Sequence, residues 1–356
     1  MDEDIKELEN LNNVDDDILK FYFNRVLSYP KNTSEDFQYV LYKKKELYKF
    51  RIHHLPEFND IQKIKEYIKL KCLNRTIKMS EHQNLLRNYL TPDSPYSGLL
   101  LFHGLGLGKT CAAINIAEGF KDQIEKYQTK IHIIVPGPTL KAEWKDQIVK
   151  CTGETYKTNK NINKLIKSNE DETKINSYYK IMSVKSFLKH TIGEKIKNPD
   201  AKDKKNKYKK NDAGEYERTE HVNKITNLSN TLLIIDEAHG LTDNEYSKAV
   251  HYIVKNSYNL KVLLLTGTPM KNSAIDIIDL LNLIKPEKEK IKRSDIFEFQ
   301  ENISNLKFTK NGKENLIKAC RGYVSYMNNN DYLLFASKID KGIITENLKF
   351  TPIIPC

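Results

Sequence analysis

The run "SGLLLFHGLGLGKTCAAINIAEGF", Ser97 to Phe120, holds the residues best suited to chemistry. Three alternate glycines, Gly104, Gly106 and Gly108, lead into Lys109 and Thr110 between an apolar stretch and a helical one. Glycine lets backbone N–H groups approach phosphate oxygens at φ values other residues resist, and the helix start that follows favours an anion. Lys109 is expected to reach the β and γ phosphates of a nucleoside triphosphate, and the Thr110 hydroxyl to bind Mg²⁺. Cys111, next on the helix, completes the cofactor-binding set. The strict pattern GxxxxGK(S/T) is missed by one residue, because His103 stands where its first glycine belongs.

"TLLIIDEAHG" supplies a second cluster. An apolar strand delivers Asp236 at its C-terminal end, where ligands sit in open α/β sheets. Asp236 is expected to hold Mg²⁺ through water, and Glu237 to orient or deprotonate the attacking water. A third strand ends in "LLLTGTPMKN", whose Thr266, Gly267, Thr268 and Pro269 form a polar turn. Nucleotide kinases and small GTPases share the phosphate loop but have no use for DEAH followed by TGTP, so this order excludes them.

The elements that must position these turns are legible as a rhythm. From Ser97 onward "GLLLF", "KIHIIVP", "YKIMSV", "TLLIID" and "KVLLLTG" alternate with helical stretches. Runs apolar throughout suit strands buried on both faces, and their alternation with helices predicts an α/β fold with a parallel, doubly wound sheet. Residues 1–80 are predicted to form a charged helical N-terminal region and 81–335 the ATP-binding lobe. Residues 195–223, rich in Lys, are predicted to be an exposed insertion, either solvated or touching a nucleic-acid backbone. Residues 336–356 are assigned to the start of a linker.

Phosphate loop, DEAH and TGTP in this order resemble motifs I, II and III of the superfamily 2 helicases and translocases. That resemblance implies a RecA-like P-loop NTPase lobe that uses ATP and Mg²⁺. It also implies that Gln83, in "SEHQNLLRNYL", reads adenine, and that "IIVPGPTLKAEWKDQI" is motif Ia, with Pro138 and Thr139 opening a helix onto a nucleic-acid phosphate. Ser183 and Lys185 are candidates for the neighbouring backbone contact. His239 and the hydroxyls of Thr266 and Thr268 are implied to couple the nucleotide site to the bound strand. The flanking "DFQYVLYKKKELYKF", "SPYSGLLLFHGLGLGKT" and "CRGYVSYMNNN" resemble a large-DNA-virus branch, which includes poxvirus nucleoside triphosphate phosphohydrolase I and the early transcription factor small subunit. By that resemblance the partners are nucleic acid, DNA ahead of RNA, and viral RNA polymerase or transcription factor subunits. The setting is a cytoplasmic viral factory or a virion, at the beginning or end of early transcripts.

Composition bounds these readings. The net charge of +11 fits a polyanion partner, although Lys is plentiful throughout. The five cysteines show no CxxC or metal spacing, which predicts free thiols in a reducing compartment. The acidic start "MDEDIKELEN" has no secretory pattern, and the apolar runs are strand-sized, so no membrane segment is expected. Fewer than ninety residues follow TGTP, and Arg293 and Arg321 fall in no matching motif. The expectation is therefore one lobe of two, nearly inactive without the second. A non-catalytic nucleotide-binding or docking module, and a DNA repair or restriction-type translocase, stand as alternatives.

Overall fold

The computed structural model describes residues 29–50, 60–73, 79–104, 106–153, 155–156, 169–196, 198, 208–210, 216–219, 224–241, 244–270, 273–298 and 306–327. Among the described residues three helices come first: α1 (Phe37–Lys43), α2 (Lys45–Tyr48) and α3 (Ile61–Leu73). Phe37 and Leu47 are buried in the same core cluster as Leu99 and Leu101, so α1 and α2 pack onto the lobe. Helix α4 (Glu81–Tyr89) follows, with Ser80 before it and Gln83 as the third residue. The Gln83 side chain accepts the Ser80 N–H at 2.9 Å, the reciprocal half of a capping box.

The lobe itself alternates strand and helix: β1 (Gly98–His103), α5 (Lys109–Glu118), α6 (Lys121–Tyr127), β2 (Ile131–Val135), α7 (Pro138–Thr152), α8 (Asn169–Tyr178), β3 (Tyr179–Ser183), α9 (Val184–Ile192), β4 (Leu232–Ile235), α10 (Glu245–Lys255), β5 (Lys261–Thr266), α11 (Asp276–Ile284), α12 (Gly312–Cys320) and β6 (Val324–Met327). The six strands form one sheet in the order β3-β2-β4-β5-β1-β6, and every pairing is parallel. This is the parallel, doubly wound sheet the apolar runs predict.

Neighbouring side chains in each central strand go to opposite faces. Leu99, Leu101, Leu232, Ile234, Leu263 and Leu265 join one core cluster, whereas Leu100, Leu233, Ile235, Val262 and Leu264 join the other. Both faces are dry, which is why these strands read as continuous apolar runs and not as an alternation. Gly98 marks a close approach, since a Cβ there would meet the Val262 carbonyl oxygen at 2.6 Å.

Register sets up the site. Phe102 lies opposite Thr266 and Ile235 opposite Leu264, so β1, β4 and β5 end at one rim. Because β5 runs between β1 and β4, the turn after β5 is held between the phosphate loop and the DEAH segment.

The expectation of free thiols needs correction. Cys111 and Cys151 form a disulfide, with 5.5 Å between their Cα atoms. Helices α5 and α7 pack side by side, which brings together two cysteines 40 positions apart in sequence that no local spacing rule links. Cys320 is free. In the 195–223 insertion the described residues make two antiparallel bridges, Lys195 with Arg218 and Lys210 with Tyr216. Most of that insertion, and the whole of the 336–356 assignment, lie outside the described residues. Among the described residues, no helix is long and apolar enough to cross a membrane.

Candidate active site

The phosphate loop is a left-handed turn on a right-handed scaffold. Gly106 and Gly108 have φ of 78° and 69°, values that explain glycine at both positions. A Cβ on Gly108 would also meet the Gln83 amide nitrogen at 2.7 Å. His103, by contrast, is the last strand residue, paired with Met327 in ordinary extended backbone. No glycine is needed there, which accounts for the departure from the strict loop pattern. Its imidazole is buried, with Nε2 at 2.9 Å from the Ser325 hydroxyl. Burial, then the neighbouring His82 and Lys109, lower its pKa to about 4.

Lys109 opens α5 and folds back over the loop. Its ammonium donates to the carbonyls of His103 at 2.9 Å and Gly104 at 3.2 Å. Both partners are neutral, so this half-buried cation is neutralised by no contacting carboxylate among the described residues. Gly104 donates its own N–H to the Met327 carbonyl at 2.9 Å, tying the loop to the edge strand. Thr110 is the second residue of α5 and is half-buried. The Cys111 side chain is taken up by its disulfide. Gln83 is buried, and its amide donates to the Gly108 carbonyl at 3.1 Å.

Asp236 follows β4 at the same rim. Its Oδ1 accepts the Glu237 N–H at 3.0 Å, and its Oδ2 accepts the indole N–H of Trp144 at 2.8 Å. Burial raises its pKa, opposed by the Trp144 hydrogen bond. Glu237 sits at φ 49°, a left-handed conformation uncommon outside glycine. Its carboxylate lies 3.1 Å from His239 Nδ1 and is 44 % exposed, open to water.

The third turn closes the arrangement. Thr266 is fully buried, and its hydroxyl lies 3.2 Å from His239 Nδ1 while accepting the Thr268 N–H at 3.0 Å. A Cβ built on Gly267 would stand 3.6 Å from the Lys109 nitrogen. Lys109, Asp236, Glu237, His239 and the Thr266–Thr268 turn therefore converge on one place. A cation paired only with carbonyls, a glycine turn and a half-buried carboxylate suit a triphosphate with its Mg²⁺.

A model of the SNF2-related domain matches residues 36–334. The chain belongs to that family. Among individual relatives, a protein of Acanthamoeba polyphaga mimivirus named as an ATP-dependent RNA helicase is 43 % identical over 343 residues, 92 % of this chain and 29 % of its own length. The chain thus spans under a third of that relative. The early transcription factor 70 kDa subunit of Yaba monkey tumor virus is 27 % identical over 106 residues, 30 % of this chain and 16 % of that protein. The SWI2/SNF2 ATPase core of Sulfolobus solfataricus, solved with duplex DNA, aligns at 18 % identity and a TM-score of 0.43, covering 72 % of this chain and 46 % of that one.

In this SNF2-related chain the remaining candidates stand at or just after the ends of β2, β3 and β5. Pro138 and Thr139 are exposed at the start of α7, where Gly137 leaves the strand in extended backbone and Pro138 takes the first helical position. Ser183 caps α9 by accepting the Ser186 N–H at 3.3 Å, and Lys185 is exposed. Thr268 is exposed on the turn after β5.

Two residues escaped sequence reasoning. Trp144 was legible only as the sole tryptophan of the chain. Asn115, a polar residue inside the apolar "CAAINIA" run, donates to the Gln83 carbonyl and the Asn84 side chain, both at 3.1 Å, and locks α5 to α4.

Proposed function

We propose that this chain is the ATP-binding lobe of a nucleic-acid-dependent ATPase of the helicase and translocase type, working in viral early transcription at initiation or termination. The convergence of Lys109, Asp236, Glu237 and the Thr266–Thr268 turn at one sheet rim carries the reading. In it, the Gly104–Gly108 turn and the first turn of α5 cradle the phosphates. Lys109 exchanges two carbonyl partners for phosphate oxygens, and Gln83 faces the adenine. Thr110 and Asp236 hold Mg²⁺, which supplies charge neutralisation on the phosphate oxygens. Glu237 orients the attacking water from the exposed edge of the site. His239 joins Glu237 to Thr266, so a shift of the turn after β5 reaches the water-orienting carboxylate.

Pro138, Thr139, Ser183 and Lys185 stand in this reading for contacts to a strand's backbone. DNA is placed ahead of RNA. The transcription role is supported by the name of the Yaba monkey tumor virus relative, and it entails viral RNA polymerase or transcription factor subunits as partners, in a viral factory or virion. A second lobe is part of the reading. An arginine reaching across to the γ-phosphate is worth on the order of 10³ to 10⁵ in rate, so the chain alone binds Mg–ATP weakly and turns it over slowly.

ATPase assays with single-stranded DNA, duplex DNA and RNA test this, together with Lys109→Ala and Glu237→Gln. The expected results are stimulation by DNA in a protein that includes a second lobe, loss of nucleotide binding in Lys109→Ala, and binding without turnover in Glu237→Gln. Full turnover by Glu237→Gln would sink the assignment, and stimulation by RNA alone would reverse the choice of strand.

A further inference from the structure

We infer that Trp144 is a positioning residue for Asp236, and that through it helix α7 transmits nucleic-acid contact to that carboxylate, which holds the metal in the function proposed above; the inference rests on that reading. The indole N–H donates to Asp236 Oδ2 at 2.8 Å, and the Glu237 N–H donates to Oδ1 at 3.0 Å. Each carboxylate oxygen accepts one protein donor and keeps a second lone pair for a cation or its water. Two donors on the two oxygens set the plane of the carboxylate. Neither donor can be replaced by rotating the group, because the other bond would break.

The indole is held more firmly than the carboxylate it orients. Trp144 is 3 % exposed and lies in the core cluster with Ile133, Val135 and Ile148. Indole nitrogen is a donor only, so its single polar atom has this acceptor as its partner. Trp144 lies six residues beyond Pro138, about 9 Å along the axis at about 1.5 Å per residue. One rigid helix segment therefore carries the exposed Pro138 and Thr139 at its tip and the Asp236 donor two turns inward. The Cys111–Cys151 bond ties the far end of α7 to the phosphate-loop helix, so the tip is the end left to respond to a ligand.

Because Trp144 is the only tryptophan, expression in a tryptophan auxotroph can replace it alone by β-(3-benzothienyl)alanine, which keeps the ring shape and lacks the N–H. Trp144→Phe is the second variant. The measurements, on the full 356-residue chain, are Mn²⁺ affinity in the presence of ADP by electron paramagnetic resonance, and ADP affinity in EDTA by calorimetry. The expected result is Mn²⁺ binding weakened by about 10- to 100-fold in both variants, with metal-free ADP binding unchanged. In the unmodified chain a DNA or RNA oligonucleotide shifts the Mn²⁺ affinity, and the isostere loses that shift. Unchanged Mn²⁺ affinity in the isostere overturns the positioning role, as does an equal loss of metal-free ADP binding, which would mark Trp144 as packing alone. An oligonucleotide shift that persists in the isostere overturns the route through α7. Failure of the unmodified chain to bind ADP removes the proposed function, and the inference with it.

Discussion

The amide of Gln83 joins two helix starts, donating to the Gly108 carbonyl at 3.1 Å and accepting the Ser80 N–H at 2.9 Å. One side chain thus fixes the entry of α4 against the entry of α5. In the function proposed above, a group facing adenine from this position would be braced against the loop that holds the phosphates, which would link base and phosphate recognition mechanically.

Gln83→Ala removes both bonds. The expected outcome is a loss of about 1 kcal/mol from the broken cap, with weaker ATP binding and reduced preference for ATP over GTP. Calorimetric titration with each nucleotide checks it. Gly108→Ala should be worse, because its φ of 69° is strained for a residue with a Cβ and that Cβ would crowd the Gln83 amide.

Thr266→Val keeps the shape of the buried side chain but leaves the Thr268 N–H without its acceptor and His239 Nδ1 without a partner hydroxyl. Losing a hydrogen bond of this kind costs about 0.5–1.5 kcal/mol. The expected phenotype is near-normal nucleotide binding with reduced stimulation by nucleic acid. His239→Ala should resemble it, and the two should combine with less than additive effect, measured as a double-mutant cycle on stimulated turnover.

His132, on β2, is buried and keeps its ring close to Lys180 and Lys130. Burial first, then Lys180, lowers its pKa to about 4 from 6.5, while a hydrogen bond to the Lys130 carbonyl opposes the shift. The unfolded chain therefore binds a proton that the folded chain refuses, and stability falls as pH drops from about 6.5 toward 4. At about 1.4 kcal/mol per tenfold change in proton affinity, the full effect is roughly 3 kcal/mol. His132→Phe should flatten this acid limb in denaturant titrations at pH 7 and pH 4.5. An unchanged limb would count against the assignment.

The Cys111–Cys151 bond closes a loop of 40 residues between α5 and α7. Its loss in Cys151→Ser, or its reduction, should lower stability by about 2–4 kcal/mol. Thermal unfolding with and without reductant should separate the unmodified chain from Cys151→Ser, which should not respond to the reductant. Thiol counting by mass spectrometry checks the bond itself.

Much of this protein is written locally. Apolar runs such as "TLLIID" and "KVLLLTG" announce strands buried on both faces, since a strand dry on each side has no polar position to spare. The glycines before Lys109 announce a turn that needs positive φ, and Gly106 and Gly108 adopt it. Each of the three polar turns lies within a few residues of the strand that delivers it, so their order along the chain was legible without the structure.

Tertiary structure alone decided which distant residues meet. Trp144 reaches Asp236 across 92 positions, and Cys111 reaches Cys151 across 40. Gln83, singled out in the sequence by the family resemblance alone, is buried against the loop at Gly108. Strand order does this: β5 inserts between β1 and β4, and α5 settles beside α4 and α7. Periodicity and spacing encode what a segment does with its own neighbours, whereas side-by-side packing of helices and strands is set by the summed burial of the whole sheet.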